Sequence, residues 1–564
     1  MRRGAAFAAI FAVASAARAD SHPKGVSYPL APAAIQPSGL AQPLPSTRRY
    51  VLVWKDQLAD AVQSISQAQK QFIVTHYVGT QKVFQSQIDE YRAMNSQFLS
   101  LVYHLSYGLN GADQQNPVGN ITGPNTFGQE DTDTFTPYVQ AHSLTRENAY
   151  QHTKATGFTS ADRVSYPDPF WLMDVTSTEW TSYLEDTLVG WCKTFATTES
   201  TGVFFDVAFH PWYQYSPATW WSSLAGGSTH GDLATWWNPR ATTYWNALRA
   251  AFAPQDGHAR YLVIPNPDAL VDEEPAFLDG TDGVFTENWQ TITGGGDWPD
   301  SLRRIVRYAT SAGKVWIADV TEAGTSLSMQ DREYLIGSHL LAKNGTSYIM
   351  FGNSDITWYP EYEIDLGGYV DEPPQDIEQL RVGGTGGASG GLYERDYVAG
   401  IVYVNSSSAA LSANVPKAMK RATWSGGGDV DTSGNLPTYA LDYSTDVPVG
   451  ALQVPAHSAI ILQDPSALPP PGVEPGGGGD GGVSGDGGVG GGGDGSVSGD
   501  GGGGGGGSGG GCGCGVAATG NDAAWLGLAA LGLAFARRRR KLGSSCSPSA
   551  TTSRREPSRS STTR

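Results

Sequence analysis

Gly202-Val203-Phe204-Phe205-Asp206 and Gly283-Val284-Phe285-Thr286-Glu287 are the same phrase written twice: a glycine, a short apolar run, a carboxylate. Runs this short and this apolar read as strands buried on both faces of a parallel sheet, so each acid stands where a strand leaves the core. Two acids facing one pocket are what glycosidic bond cleavage requires, one to attack or stabilise the sugar cation and one to protonate the leaving oxygen.

Counting outward from these two runs, strands are expected at Tyr50 to Trp54, Phe72 to Thr75, Phe98 to Tyr103, Val203 to Asp206, Tyr261 to Ile264, Val284 to Glu287, Val315 to Asp319 and Tyr348 to Phe351. Helices are expected between them at, among others, Gln81 to Asn95, Glu179 to Phe195, Thr242 to Phe252, Leu302 to Ala312 and Met329 to Leu341, with Asn238-Pro239 starting the one that holds Thr242 to Phe252. Strands alternating with helices indicate a parallel sheet, and eight strands close a (β/α)8 TIM barrel over 45–385. An open doubly wound sheet ranks below it, because no Gly-rich phosphate loop follows the first strand. The polar stretch 110–169 reads as an insertion or lid after the third strand. Residues 386–465 hold only short strands, including Gly391 to Arg395, Val398 to Asn405, Arg421 to Trp424 and Ser458 to Leu462, and read as a small antiparallel β-sandwich with a structural role.

The ends of the chain differ in kind. Met1-Arg2-Arg3, an apolar stretch and Ala17-Arg18-Ala19 form a secretory signal peptide over 1–19, which implies export. Residues 466–511 are a Pro/Gly-rich disordered linker, 512–541 combine Cys512, Cys514, an apolar run and Arg537 to Arg540, and 542–564 are a disordered basic tail. That sequence of linker, cysteine, short hydrophobic segment and arginines resembles the MYXO-CTERM sorting signals of myxobacterial surface proteins, although here Lys541 to Arg564 extend past the arginines. The resemblance implies a sorting protease acting near Cys512 or Cys514, and attachment to the cell envelope or outer membrane at the cell surface. Cys192 is the only cysteine of the folded part, which excludes an internal disulfide and reads as a core residue. The formal net charge is -18, and nucleic acid is a poor partner for so acidic a chain.

In a barrel of this type the strand C-termini build the active site. Asp206 and Glu287 are the candidate catalytic acids, ending the fourth and sixth strands. His104, His210, Trp212, Asn266, Asn288, Trp289, Asp319 and Glu322 are candidate substrate-binding residues, since aromatic faces stack on sugar rings while Asn and His supply hydrogen bonds. His76 and Asn353 also stand at expected strand ends, and Asp174 reads equally as a strand-end group or as part of a helix N-terminus. Asp319 closes Val315-Trp316-Ile317-Ala318 as Asp206 closes its own strand, and could orient a hydroxyl or replace Glu287 as the acid.

These strand endings, with Tyr359-Pro360-Glu361-Tyr362-Glu363-Ile364-Asp365 and the run Arg395 to Asn405, resemble a hypothetical glycoside hydrolase family of the glycosyl hydrolase 15 type, over roughly residues 45–465. Such families are similar to the α-galactosidase superfamily. The resemblance implies Asp206 as nucleophile and Glu287 as general acid and base, a carbohydrate substrate and no cofactor. A glycan-binding lectin or adhesin on the same scaffold is the alternative. A metal-dependent hydrolase ranks third, because no two histidines have metal-ligand spacing.

Overall fold

The computed structural model describes residues 39–468 except 57–63, 84, 111–129, 165–169, 195–198, 209–220, 256, 268–269, 271–275, 295–297, 321–326 and 353–355. The signal peptide, nearly all of the linker, the cysteine-bearing segment and the basic tail therefore lie outside the described residues.

Two parallel sheets form the first layer. One runs β2 (Lys55–Asp56), β3 (Gly79–Gln81), β4 (Leu99–Leu105), β7 (Gly202–Asp206) and β8 (Leu262–Pro265). The other runs β1 (Leu52–Val53), β11 (Ser347–Phe351), β10 (Val315–Val320) and β9 (Gly283–Thr286). Only Trp54 separates β1 from β2, so one chain segment joins the sheets. A short antiparallel hairpin, β5 (Gly108–Asn110) with β6 (Phe170–Leu172), leads into and out of the 110–169 insertion.

Opposite faces of these strands pack into different cores. Leu52, Trp54, Leu101, Tyr103, Leu105, Phe204, Leu262, Ile264, Phe285, Val315, Ile317, Tyr348 and Met350 fill the interior. Val53, Val102, Val203, Phe205, Val263, Val284, Trp316, Ala318 and Ile349 pack outward. The leading glycines follow from this crowding: a Cβ on Gly283 would stand 2.5 Å from the Val315 carbonyl oxygen, and one on Gly202 2.4 Å from that of Leu262. Either would force the neighbouring strand away.

The covering helices are α1 (Gln67–His76), α2 (Gln85–Met94), α3 (Thr178–Thr194), α4 (His230–Ala251), α5 (Trp298–Ile305) and α6 (Met329–Ala342). Two departures from the sequence reading stand here. Phe72 to Thr75 is not the second strand but part of α1, which a capping box of Ser66 and Gln69 starts; the second strand is β3, and His76 ends a helix. Asn238-Pro239 does not start α4. Thr229 caps it, with Asp232 completing the box, and Pro239 lies inside it. Leu233, Trp237, Ala241, Tyr244, Trp245 and Leu248 form a buried face that runs through the proline and offsets its lost hydrogen bond.

After β12 (Thr357–Trp358) the chain turns antiparallel. The strands are β13 (Arg381–Gly384), β14 (Gly391–Tyr397), β15 (Gly400–Asn405), β16 (Leu411–Val415), β17 (Met419–Gly426), β18 (Gly428–Asp429), β19 (Tyr439–Val447), β20 (Gly450–Val454) and β21 (Ser458–Gln463). A six-stranded sheet in the order β13-β14-β15-β21-β17-β19 faces the two-stranded sheet β16-β20 across Ile401, Tyr403, Val415, Val454 and Ile460. Both layers belong to the compact unit that runs to Pro475. Buried Arg395 ties them: Nη1 donates to the carbonyls of Leu340, Leu341 and Lys343 at 3.0, 2.9 and 2.8 Å, satisfying the end of α6. Among the described residues no helix is long and apolar enough to cross a membrane.

Candidate active site

Side chains alternate along a strand, so the interior parity that places Phe204 inside also places Asp206 there, and Ile264 carries Asn266 with it. Backbone hydrogen bonds from Asn266 N–H to Phe205 C=O (2.8 Å) and from Ala208 N–H to Asn266 C=O (2.9 Å) fix the ends of β7 and β8 against each other. Ser106 secures the turn after Asp206, its hydroxyl donating to the Asp206 and Val207 carbonyls at 2.8 and 2.6 Å.

Asp206 accepts three hydrogen bonds. Oδ2 receives the Tyr103 hydroxyl at 2.8 Å, while Oδ1 receives the Val207 N–H at 2.9 Å and Asn266 Nδ2 at 2.8 Å. The same Nδ2 stands 2.6 Å from Glu287 Oε2. One amide nitrogen thus touches both carboxylates, and their accepting oxygens lie no further apart than those two lengths together.

A cation completes the cluster. Buried Lys82 donates to Asp56 Oδ2 at 3.2 Å, and its ammonium lies 5.4 Å from the Tyr103 ring centroid and 5.3 Å from that of Phe204. Burial alone would lower its pKa. Asp56, Asp206 and Glu287 outweigh that and hold it well above the ordinary lysine range. Burial, then Asp206, pushes the Tyr103 hydroxyl well above its usual value, so Tyr103 remains a donor.

Strain gathers at the same strand ends. Lys82, Val207 and Asn288 hold φ of 57°, 57° and 55°, left-handed values that are rare for a side chain branched at Cβ such as valine. Each follows a strand that contributes to the cluster.

The structure brings together Asp206, Glu287 and Asn266. Asn288, half-buried, adjoins Glu287 in the chain, and buried Asp319 continues the interior set of β10, on the strand next to β9. Two residues read as sugar-binding are not in the cluster. His104 has the opposite parity to Tyr103 and Leu105 and faces the helices; it is fully buried, with Nε2 2.8 Å from Glu130 Oε1 and Nδ1 2.6 Å from the Leu105 carbonyl. Trp289 is fully buried too, edge-on to Trp316 at 5.1 Å, and is core. Asp174 accepts the Thr176 N–H at 2.8 Å in the turn ahead of α3, while Ser177 Oγ receives the Trp180 N–H of the helix's first turn at 3.3 Å. His210, Trp212, Glu322 and Asn353 lie outside the described residues.

Three members of the cluster escaped the sequence reading. Tyr103 ends an expected strand, but its partner lies 103 residues on. Asp56 sits two residues past the first expected strand, at the end of Leu52-Val53-Trp54-Lys55-Asp56, a glycine-free version of the opening phrase. Lys82 follows the strand that was misplaced. Among the described residues no group of three or more His, Cys, Asp or Glu side chains could hold a metal ion.

Comparison with solved structures returns carbohydrate enzymes of low similarity. An α-amylase from H. orenii is 10% identical over 74% of this chain and 99% of its own, with a TM-score of 0.33. A GH27 β-L-arabinopyranosidase from Geobacillus stearothermophilus is 9% identical over 75% and 97%, with a TM-score of 0.38. An α-amylase from Malbranchea cinnamomea is 7% identical over 71% and 89%, with a TM-score of 0.35. Comparison with curated proteins finds no match. Residues 126–401, the segment that carries Asp206, Asn266, Glu287 and Asp319, match the model of hypothetical glycosyl hydrolase family 15, and the chain is a glycoside hydrolase.

Proposed function

We propose that this chain is an exported, surface-attached glycoside hydrolase that cleaves an oligo- or polysaccharide with retention of configuration, Asp206 attacking the anomeric carbon and Glu287 protonating the leaving oxygen. The observation that carries this reading is the single Asn266 amide between the two acids, which holds them at retaining distance. The division of labour follows from the donors. Asp206 accepts the Tyr103 hydroxyl, the Val207 N–H and the Asn266 amide, which orient its carboxylate as a nucleophile requires. Glu287 shares the Asn266 amide with it and, across the site from the nucleophile, is the acid that gives its proton to the leaving oxygen. Once the glycosyl–Asp206 ester has formed, Glu287 returns as the base that activates water.

The fold proposed with it is a closed (β/α)8 barrel. Support comes from the remaining pair of edges: the Asp282 N–H at the foot of β9 donates to the Val263 carbonyl of β8 at 3.0 Å, and the Asp282 carboxylate receives the Val263 N–H at 3.1 Å. Export by the signal peptide, and a sorting protease acting at Cys512 or Cys514 to attach the protein to the envelope, are proposed from the sequence alone.

The test is a glycan panel with the wild type, Asp206→Asn and Glu287→Gln, reading released reducing sugar and the anomer first formed. Retention in the wild type with at least 10³-fold loss in both variants is expected. Equal release by all three ends the assignment, inversion ends the nucleophile role, and glycan binding without cleavage favours a lectin.

A further inference from the structure

We propose that Lys82 is a positioning residue for the two acids: its ammonium, lodged beside Asp56 and over the Tyr103 and Phe204 rings, sets the field in which Asp206 and Glu287 ionise. The inference rests on the roles given to those acids above.

Four elements converge on this ammonium with titratable groups: Asp56 from β2, Tyr103 from β4, Asp206 from the end of β7, and Glu287 just past β9. Asp319 belongs to the same interior set one strand further on. Lys82 does not reach the acids by a hydrogen bond that would simply brace them. Its hydrogen bond goes to Asp56, while it lies 5.4 Å from the ring of the tyrosine whose hydroxyl bonds Asp206. A buried lysine with one structural partner needs no left-handed backbone; the φ of 57° at Lys82 is a cost borne where the side chain must enter from the strand end. In a water-poor interior a unit charge within about 6 Å moves a neighbouring carboxyl by about one pH unit or more. Without Lys82, two acids about 5 Å apart and a third nearby would hold a proton at the pH where the nucleophile must be free.

The experiment titrates the full chain, labelled with carbon-13 at the aspartate and glutamate carboxyls, by NMR, with the resonances assigned through Asp206→Asn and Glu287→Gln. Lys82→Met should move both titration steps of the pair up by about one unit, and the acidic limb of kcat/KM with them; Lys82→Arg should restore them. Asp56→Asn should move them down, since it removes a negative neighbour and leaves the ammonium to the pair. Unchanged steps in Lys82→Met, or steps that move the same way in Lys82→Met and Asp56→Asn, overturn the proposal and leave a structural ion pair. If Lys82→Met does not fold, Lys82→Gln is read in its place: an upward move of both steps supports the proposal, and unchanged steps overturn it. The titration needs no turnover, so a hydrolase assignment that fails on Asp206→Asn is distinguishable from a failure here.

Discussion

Asp206 and Glu287 share one hydrogen-bond donor, the Asn266 side-chain nitrogen, 2.8 Å from the first and 2.6 Å from the second. A sugar entering between the acids meets groups already held at working distance, so little of the binding energy goes into assembling them. Asn266→Asp would put a third carboxylate where the shared donor stood. Turnover should fall by about 10²-fold or more, because the acids then repel and one of the three takes a proton at neutral pH. The check is kcat on any substrate the wild type cleaves, with melting temperature showing that the protein still folds once the 2% exposed Asn266 is replaced.

Tyr103 offers a cleaner dissection. Tyr103→Phe keeps the ring stacked on Phe204 at 5.7 Å and removes only the hydroxyl that bonds Asp206. Asp206 would lose one of three donors, so the acidic limb of kcat/KM should move up by about half a unit to one unit. Stability should change little, about 1 kcal/mol for a hydrogen bond of this kind. A pH profile identical to wild type would show that the hydroxyl does not act on Asp206.

For His104 the expectation is reversed from that of a sugar ligand. His104→Ala leaves buried Glu130 without its 2.8 Å partner and opens a space beside Trp180 and Trp191. A loss of about 2–4 kcal/mol is expected in denaturant unfolding, with KM unchanged in the protein that remains folded. A raised KM at full stability would return His104 to the site.

The strand ends Asp206, Glu287 and Asp319 were legible because a strand buried on both faces announces itself as an apolar run, and the residue that breaks the run is visible. The strand that carries Lys82 was not, for the same physical reason inverted: Gly79-Thr80-Gln81 contains no large apolar side chain. Phe72-Ile73-Val74 nearby is the more strand-like run, yet it belongs to the helix that Ser66 and Gln69, a start signal three residues apart, begin. His104 was misread because both faces of β4 are apolar, so nothing local distinguishes the parity of Tyr103 from that of His104. The bond from Tyr103 to Asp206 spans 103 residues, and no local pattern encodes it.

His339 supplies a test of how the fold responds to pH. It lies on α6, fully buried, 4.7 Å from Trp316, and neither ring nitrogen has a hydrogen-bond partner among the described residues. Burial, then the charges of Lys343 and Arg395, hold its pKa well below the ordinary 6.5. The folded protein therefore keeps the ring neutral while the unfolded chain protonates it below about pH 6.5, so the unfolded state binds more protons there and stability falls as the pH is lowered. Above that pH the residue contributes no slope. The loss should approach about 1.4 kcal/mol for each unit below 6.5 until the folded ring also titrates. Urea midpoints at pH 7.5 and 5.0 check this against His339→Leu, which removes both the unpartnered nitrogens and the proton. The variant should lose distinctly less stability between the two pH values than the wild type, and equal losses would mean that other groups set the acid response.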